Sequence, residues 1–387
     1  MGDHLFLLLG VSAATVFTLF VVLVAFFKWM TKARRRLGNE ASAEDDEYDK
    51  IQRQRRRLLA NVLGCIFRSI MISLGVLLIF TAILLIGFIV RFGLRDCLPL
   101  VITPGTIMFY VHTTFAYFLA FNILFNYALC VFTNPGNTNS KHYKRAVREG
   151  KEMGLIPSID LEAMGSEKGK DKVPRPRGAT QQMQSYSGPN IFDPVDPTEW
   201  RVCGRSKVIK PPRSHFDAVS GKIVLNMDHF CPWMSNTIGY ANYRYFLLML
   251  FWTFVGCAYV VVMLTPHVIL HGVNYDFSLL LIYLTSFSFS AVLTLFLAFH
   301  AMLISTGQTT IGFWKNIALR ARARKNKEPI PVNPFNLGTK LNWQRVFGDM
   351  HWTLAILPSV REPPWPPYAT LDDVKAGRID FGSAKRI

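Results

Sequence analysis

Asp228-His229-Phe230-Cys231-Pro232-Trp233 places a carboxylate, an imidazole and a thiol within four residues of one another. The stretch lies in a polar segment between two very hydrophobic blocks. A thiol is a useful nucleophile only as thiolate, and a neighbouring histidine lowers the cost of that ionisation. A carboxylate beside the histidine fixes its tautomer and steadies the imidazolium that forms. Nucleophile, base and orienting acid are the parts that acyl transfer needs. Cys231, His229 and Asp228 are therefore the candidate catalytic residues.

Downstream the chain continues Met234-Ser235-Asn236-Thr237-Ile238-Gly239-Tyr240-Ala241-Asn242-Tyr243-Arg244-Tyr245-Phe246 into an apolar run, and upstream it reads Lys210-Pro211-Pro212-Arg213-Ser214-His215. From Cys203 to Phe246 this resembles, without a gap, the cysteine-rich domain of the DHHC protein S-acyltransferases, or palmitoyltransferases. The resemblance implies an all-α integral membrane bundle carrying a small cytosolic DHHC-type domain, mostly irregular with short β-hairpins. Thr309-Thr310-Ile311-Gly312 resembles the family's TTxE motif with its Glu missing, and Thr133-Asn134-Pro135-Gly136 its DPG motif with Asn for Asp. The stretch from Asn333 to Gly348, with Asn342 in it, is similar to the C-terminal segment that packs beneath the catalytic domain. Thr309, Thr310 and Asn342 are thus expected as structural motif residues.

The metal pattern departs from the family. Where its eight zinc ligands stand, this chain has Cys203, Ser206, Phe216, Asp217, Ser220, Ile223, Phe230 and Thr237. Ser and Thr hydroxyls are poor zinc donors, and Phe and Ile are none. No metal site is expected, and Phe216, Ile223 and Phe230 have the character of an apolar plug. Cys203, His215 and Asp217 remain as an alternative donor set, one short of the four a structural zinc takes.

By the resemblance, a fatty acyl group passes from an acyl-CoA co-substrate, palmitoyl-CoA, to Cys231 and then to a cysteine of a membrane-associated protein. His229 acts as base and acid, and Asp228 orients it. Trp233 is placed against the first carbons of the acyl chain, and Gly256, in a small-residue cluster of the following span, forms the far end of an acyl cavity. The alternative is a non-catalytic membrane scaffold on the same fold, favoured by the lost ligands and the missing TTxE glutamate.

Half of the 387 residues are hydrophobic and the net charge is +17, which fits the cytoplasmic face of a membrane better than nucleic acid. The partners expected are membrane lipids and membrane-associated substrate proteins. Cys65, Cys97, Cys130, Cys203, Cys231 and Cys257 show no metal-pair spacing and no disulfide framework. Apolar runs at Leu5–Phe27, Ile70–Val90, Thr106–Phe132, Tyr245–Leu270 and Ser278–Leu303 are each long enough to cross about 30 Å of hydrocarbon, giving about five transmembrane helices. Basic clusters at Arg34-Arg35-Arg36, Arg53, Arg55-Arg56-Arg57 and Lys315 to Lys325 place the catalytic stretch in the cytosol and the N-terminus in the lumen or outside. The expected organisation is an anchor at 1–30, a basic cytosolic loop at 31–68 and a transmembrane hairpin at 69–132. A flexible insert at 133–200 and the catalytic domain at 201–244 follow. A second hairpin at 245–305 and a cytosolic C-terminal segment at 306–387 complete it. The Pro363–Pro367 run reads as extended, with recognition by an SH3-type domain as one use. Endoplasmic reticulum or Golgi is the membrane expected.

Overall fold

The computed structural model describes residues 47–156, 196–271 and 277–377. Among them, four helices are long and apolar enough to cross a membrane: Asn61–Val101, Ile107–Phe132, Tyr243–Leu270 and Leu279–Ser305. These correspond to four of the five expected runs. The first, Leu5–Phe27, lies outside the described residues. Leu84, Ile107 and Leu295 are each more than 70% exposed on these helices, as lipid-facing side chains are when no bilayer covers them.

The basic stretch expected as a loop to residue 68 is helical from Glu47 onward. Helix α1 runs Glu47–Phe92 and continues through a π-helical turn, Gly93–Cys97, to Leu98–Val101. No Pro or Gly interrupts residues 47–63, so the helix begins at Glu47, well before the candidate span starts at Asn61. Helix α2, Ile107–Phe132, opens on Thr106, whose hydroxyl accepts from Phe109 N at 3.2 Å. It ends at Asn134-Pro135-Gly136. There the Asn134 side chain accepts from Gly136 N and Asn137 N, and Gly136 takes φ 97°.

The segment at 137–197 is not uniformly irregular. Lys141–Glu152 forms helix α3, capped by Ser140 and burying Tyr143, Ala146 and Gly150. A Cβ on Gly150 would lie 2.8 Å from the Trp200 ring, so the residue permits a close approach. Its one buried stripe within a charged helix is too narrow to stand out from a Lys-rich sequence. The tight packing corrects the expectation of a flexible tether over these twelve residues.

The small domain consists of three antiparallel hairpins. These are β1 (Arg201–Val202) with β2 (Ile209–Lys210), β3 (His215–Phe216) with β4 (Ile223–Val224), and β5 (His229–Cys231) with β6 (Asn236–Ile238). Isolated two-stranded hairpins are marginal, so packing must hold them. One apolar cluster joins Tyr143, Trp200, Cys203, Ile209, Ile223, Leu225 and Tyr240, with Phe216 and Trp365 against it. A second joins Cys231, Met234 and Ile238 to the spans through Tyr127, Cys130, Phe246 and Leu293.

Helix α4 is Tyr243–His271 and α5 is Phe277–Ser305. After α6 (Thr310–Asn326) and α7 (Thr339–Phe347) the chain returns as a strap. Arg244 donates to the carbonyls of Ala355 and Ser359, Tyr245 Oη to Arg361 O, and Tyr240 Oη to Pro363 O. Trp365 Nε1 and Tyr368 Oη both reach Glu149 of α3. The Pro363–Pro367 run has neither helix nor strand, but it is docked on the domain and not presented as a free ligand.

Candidate active site

Strand periodicity separates the work of the nucleophile hairpin. Alternate residues share a face, so His229 and Cys231 lie on one side of β5 and Phe230 on the other. His229 pairs across the hairpin with Ile238, Cys231 with Asn236, and Phe230 with Thr237. The front face carries the imidazole of His229 and the thiol of Cys231, and the back face carries Phe230 and Thr237.

On the front, His229 Nδ1 lies 2.8 Å from Asp228 Oδ2, and the same imidazole interacts with the Cys231 thiol. Asp228 is 1% exposed. Its carboxylate also accepts from Thr310 N at 2.7 Å and Thr310 Oγ1 at 2.8 Å, at the start of α6. Burial opposes ionisation of Asp228, but His229, His300 and the Thr310 amide hold its carboxyl below the usual range. Burial likewise disfavours a charged His229. The hydrogen bonds with Asp228 and Cys231 outweigh it and raise the imidazole to about 10. Asp228, His229, Cys231 and Thr310 are thus brought together.

Thr309 does not touch the carboxylate. It caps α6, its hydroxyl accepting from Gly312 N at 3.1 Å. Asn342, 2% exposed, donates to Ser305 O at the end of α5 and accepts from Leu337 N. It fixes the angle between span and C-terminal segment. Trp233 is 42% exposed, while its carbonyl accepts from Tyr127 Oη at 2.7 Å. Gly256 faces α2, its nearest neighbour being Ile123 Cδ1, 3.5 Å from where a Cβ would stand.

Several positioning residues escape a reading of the motif alone. Asn236, opposite Cys231, donates its amide to Cys130 O (2.9 Å), Val131 O (3.2 Å) and Thr133 O (2.9 Å). One side chain thus ties the nucleophile hairpin to the unpaired carbonyls at the end of α2. Gly75 of α1 lies against Ser235, and Arg68 Nε donates to Ala218 O. A second cluster is electrostatic. Arg201, Lys210, Arg213 and Lys315 all act electrostatically on His215. Burial and then these cations drive His215 down to about 3. Lys210 falls to about 8 through burial and the neighbouring Arg201. Arg201 Nε and Arg213 Nη1 are buried without a hydrogen-bond partner. Only Lys210 and Arg213 fall within the quoted motif. Arg201 and Lys315 come from β1 and α6, 114 positions apart in sequence.

The residues at the eight positions that the resemblance aligns with zinc ligands make other contacts. Phe216 and Ile223 are cross-strand partners, and Ile223 is fully buried beside Cys203. Both Asp217 oxygens are already engaged by Val219 N, Ser220 N and Thr237 Oγ1. Among the described residues, no group of three or more His, Cys, Asp or Glu could hold a metal ion, the Cys203, His215 and Asp217 set included.

Fold and site together define a helical membrane protein with a histidine-paired thiol held in a small hairpin domain beside its spans. Residues 196–317 match the family model described as DHHC palmitoyltransferase. The chain is 31% identical over 167 residues to "Palmitoyltransferase ZDHHC2" of Rattus norvegicus, a match covering 41% of this chain and 44% of that protein. It is 27% identical over 336 residues to "Probable protein S-acyltransferase 13" of Arabidopsis thaliana, covering 80% and 92%. With "Palmitoyltransferase ZDHHC15" of Xenopus laevis it shares 26% over 276 residues, covering 68% and 73%. The match to the rat protein spans less than half of that protein's length. Over residues 196–317, which hold Asp228, His229, Cys231 and Thr310, the chain is similar to the DHHC palmitoyltransferase family.

Proposed function

We propose that this protein is a protein-cysteine S-acyltransferase that moves a fatty acyl group, palmitoyl among them, from acyl-CoA through Cys231 to cysteines of membrane-associated proteins. The observation that carries it is the Asp228–His229–Cys231 set, with His229 and Cys231 on one face of β5 and Nδ1 of the histidine 2.8 Å from the carboxylate of Asp228 just before the strand. In the first half-reaction Cys231 Sγ bonds to the thioester carbonyl carbon and the bond to the CoA sulfur breaks. The thiol proton passes to His229 and from there to the departing sulfur. In the second, a substrate cysteine attacks, its proton goes to His229, and Cys231 takes one back as it leaves. Asp228 holds the ring through Nδ1, leaving the other nitrogen for both transfers. Thioester exchange is nearly isoenergetic, so no nucleotide enters the reaction.

The cations around His215 support an acyl-CoA donor. Partly buried like charges disfavour one another, and a phosphate-bearing ligand relieves that repulsion. Arg201, Lys210 and Lys315 would hold the phosphates of CoA while its acyl chain runs past Trp233 between the spans. Gly256 would set the depth of that space. The domain faces the cytosol of an endoplasmic reticulum or Golgi membrane in this reading, as the basic stretches favour. A non-catalytic scaffold finds no support in a site where all three relay residues are present and bonded.

The test is labelling of the purified protein with an alkyne-bearing palmitoyl-CoA. Hydroxylamine-sensitive label should appear on the wild type, vanish in Cys231→Ala and nearly vanish in His229→Ala. Undiminished label in Cys231→Ala would overturn the proposal.

A further inference from the structure

The back face of the nucleophile hairpin has a bonding pattern that the reaction does not use. Asp217, 2% exposed, sits at the end of β3 and accepts from Val219 N (3.0 Å) and Ser220 N (2.9 Å) in its own turn. Its Oδ2 also accepts from Thr237 Oγ1 at 2.8 Å. Thr237 is itself 2% exposed and stands opposite Phe230, directly behind the His229 and Cys231 face. One carboxylate therefore joins two hairpins through the three positions Asp217, Ser220 and Thr237, with Phe230 completing the set. These are the places where the family resemblance expects one group of zinc ligands. The other group is replaced differently. Cys203 and Ile223 are buried, with Phe216 packed against them and the Arg205 guanidinium 5.6 Å above its ring.

We propose that the domain dispenses with zinc by two separate devices: a buried Asp217–Thr237 cross-link behind the nucleophile, and an apolar pack of Cys203, Ile209, Phe216 and Ile223 in place of the other centre. The physical requirement in both positions is to fix two short hairpins that cannot hold themselves. A zinc ion does so by binding donors from both. A buried carboxylate does so by leaving a hydroxyl donor on the neighbouring hairpin no better partner, since the Thr237 hydroxyl without it would be buried and unsatisfied. The apolar pack does so by area removed from water. Thr237 is on this reading a positioning residue. It acts on the chemistry only through the strand that carries His229 and Cys231.

The proposal is independent of whether the site transfers an acyl group, and its test reads metal content and melting. Full-length protein purified without chelator should contain substoichiometric zinc by elemental analysis. Its melting midpoint should be unchanged by a strong zinc chelator. Thr237→Val, which keeps the shape and removes the hydroxyl, should lower the midpoint, and Thr237→Ser should recover most of the loss. The combined variant Asp217→Cys, Ser220→Cys, Phe230→His, Thr237→Cys should gain zinc and become sensitive to the chelator. Stoichiometric zinc in the wild type, or a chelator-induced fall in its midpoint, would overturn the proposal. So would a Thr237→Val protein that melts with the wild type. These outcomes do not require the multiple variant to fold.

Discussion

Gly75 offers the sharpest perturbation of the nucleophile that leaves every polar group in place. It lies on α1 where the turn after Cys231 packs. A Cβ there would stand 2.3 Å from Ser235 Oγ, 2.5 Å from its Cβ and 3.0 Å from its Cα. Non-bonded carbon atoms settle at about 3.5–4.0 Å, so Gly75→Ala forces helix and turn apart by about 1 Å. The turn has little freedom to absorb this, because Tyr127 holds the Trp233 carbonyl and Asn236 holds the end of α2. A displacement of about 1 Å at reacting groups costs about 100-fold in rate, or about 2.7 kcal/mol in the barrier. Single-turnover acylation of detergent-purified Gly75→Ala by palmitoyl-CoA should slow by that order, with helical content unchanged by circular dichroism. Ser235→Gly should restore part of the rate in the double variant. It removes the two closest contacts, and at φ 47° and ψ 29° glycine is at ease. A Gly75→Ala protein acylating at the wild-type rate would refute the claim that this contact positions the thiol.

Because His229 is raised from 6.5 to about 10 on folding, its charged form stabilises the domain fully below pH 6.5 and progressively less as pH rises towards 10. The melting difference between wild type and His229→Gln should therefore shrink from pH 6 to pH 10, and a difference independent of pH would contradict the pairing. Arg201→Gln with Lys315→Gln should raise the acyl-CoA concentration giving half-maximal labelling while sparing the rate at saturation. Equal loss at all concentrations would show that the pair supports the fold instead. Gly256→Tyr should shift preference towards shorter acyl-CoAs, whereas a loss independent of chain length would assign the glycine to contact between α4 and α2.

Asp228, His229 and Cys231 could be read as neighbours in sequence because they lie on β5 or just before it, and four of the spans because twenty-odd apolar residues have few other uses. The extension of α1 was hidden by charge. Arg-rich sequence reads as a loop beside a bilayer, yet it propagates a helix as well as most residues do. Helix α3 escaped because its buried stripe of Tyr143, Ala146 and Gly150 lies among Lys, Arg and Glu. Asn236 stood in the quoted motif, but its task depends on carbonyls about a hundred positions upstream. The same holds for Arg201 and Lys315. The lost zinc ligands were visible as substitutions. That Asp217 and Thr237 face each other was not, because the two residues meet only once both hairpins have folded.

The central claim is that Cys231 carries the acyl group between donor and acceptor. The most direct test is peptide mass spectrometry of the purified full chain after brief exposure to palmitoyl-CoA, followed by a chase with a cysteine-containing peptide. The account predicts a thioester-linked palmitoyl on the Cys231 peptide that is lost during the chase as the acceptor gains it. Palmitoyl on Cys203 or Cys130 and not Cys231, or acceptor labelling with no acylated Cys231 at any time, would contradict it.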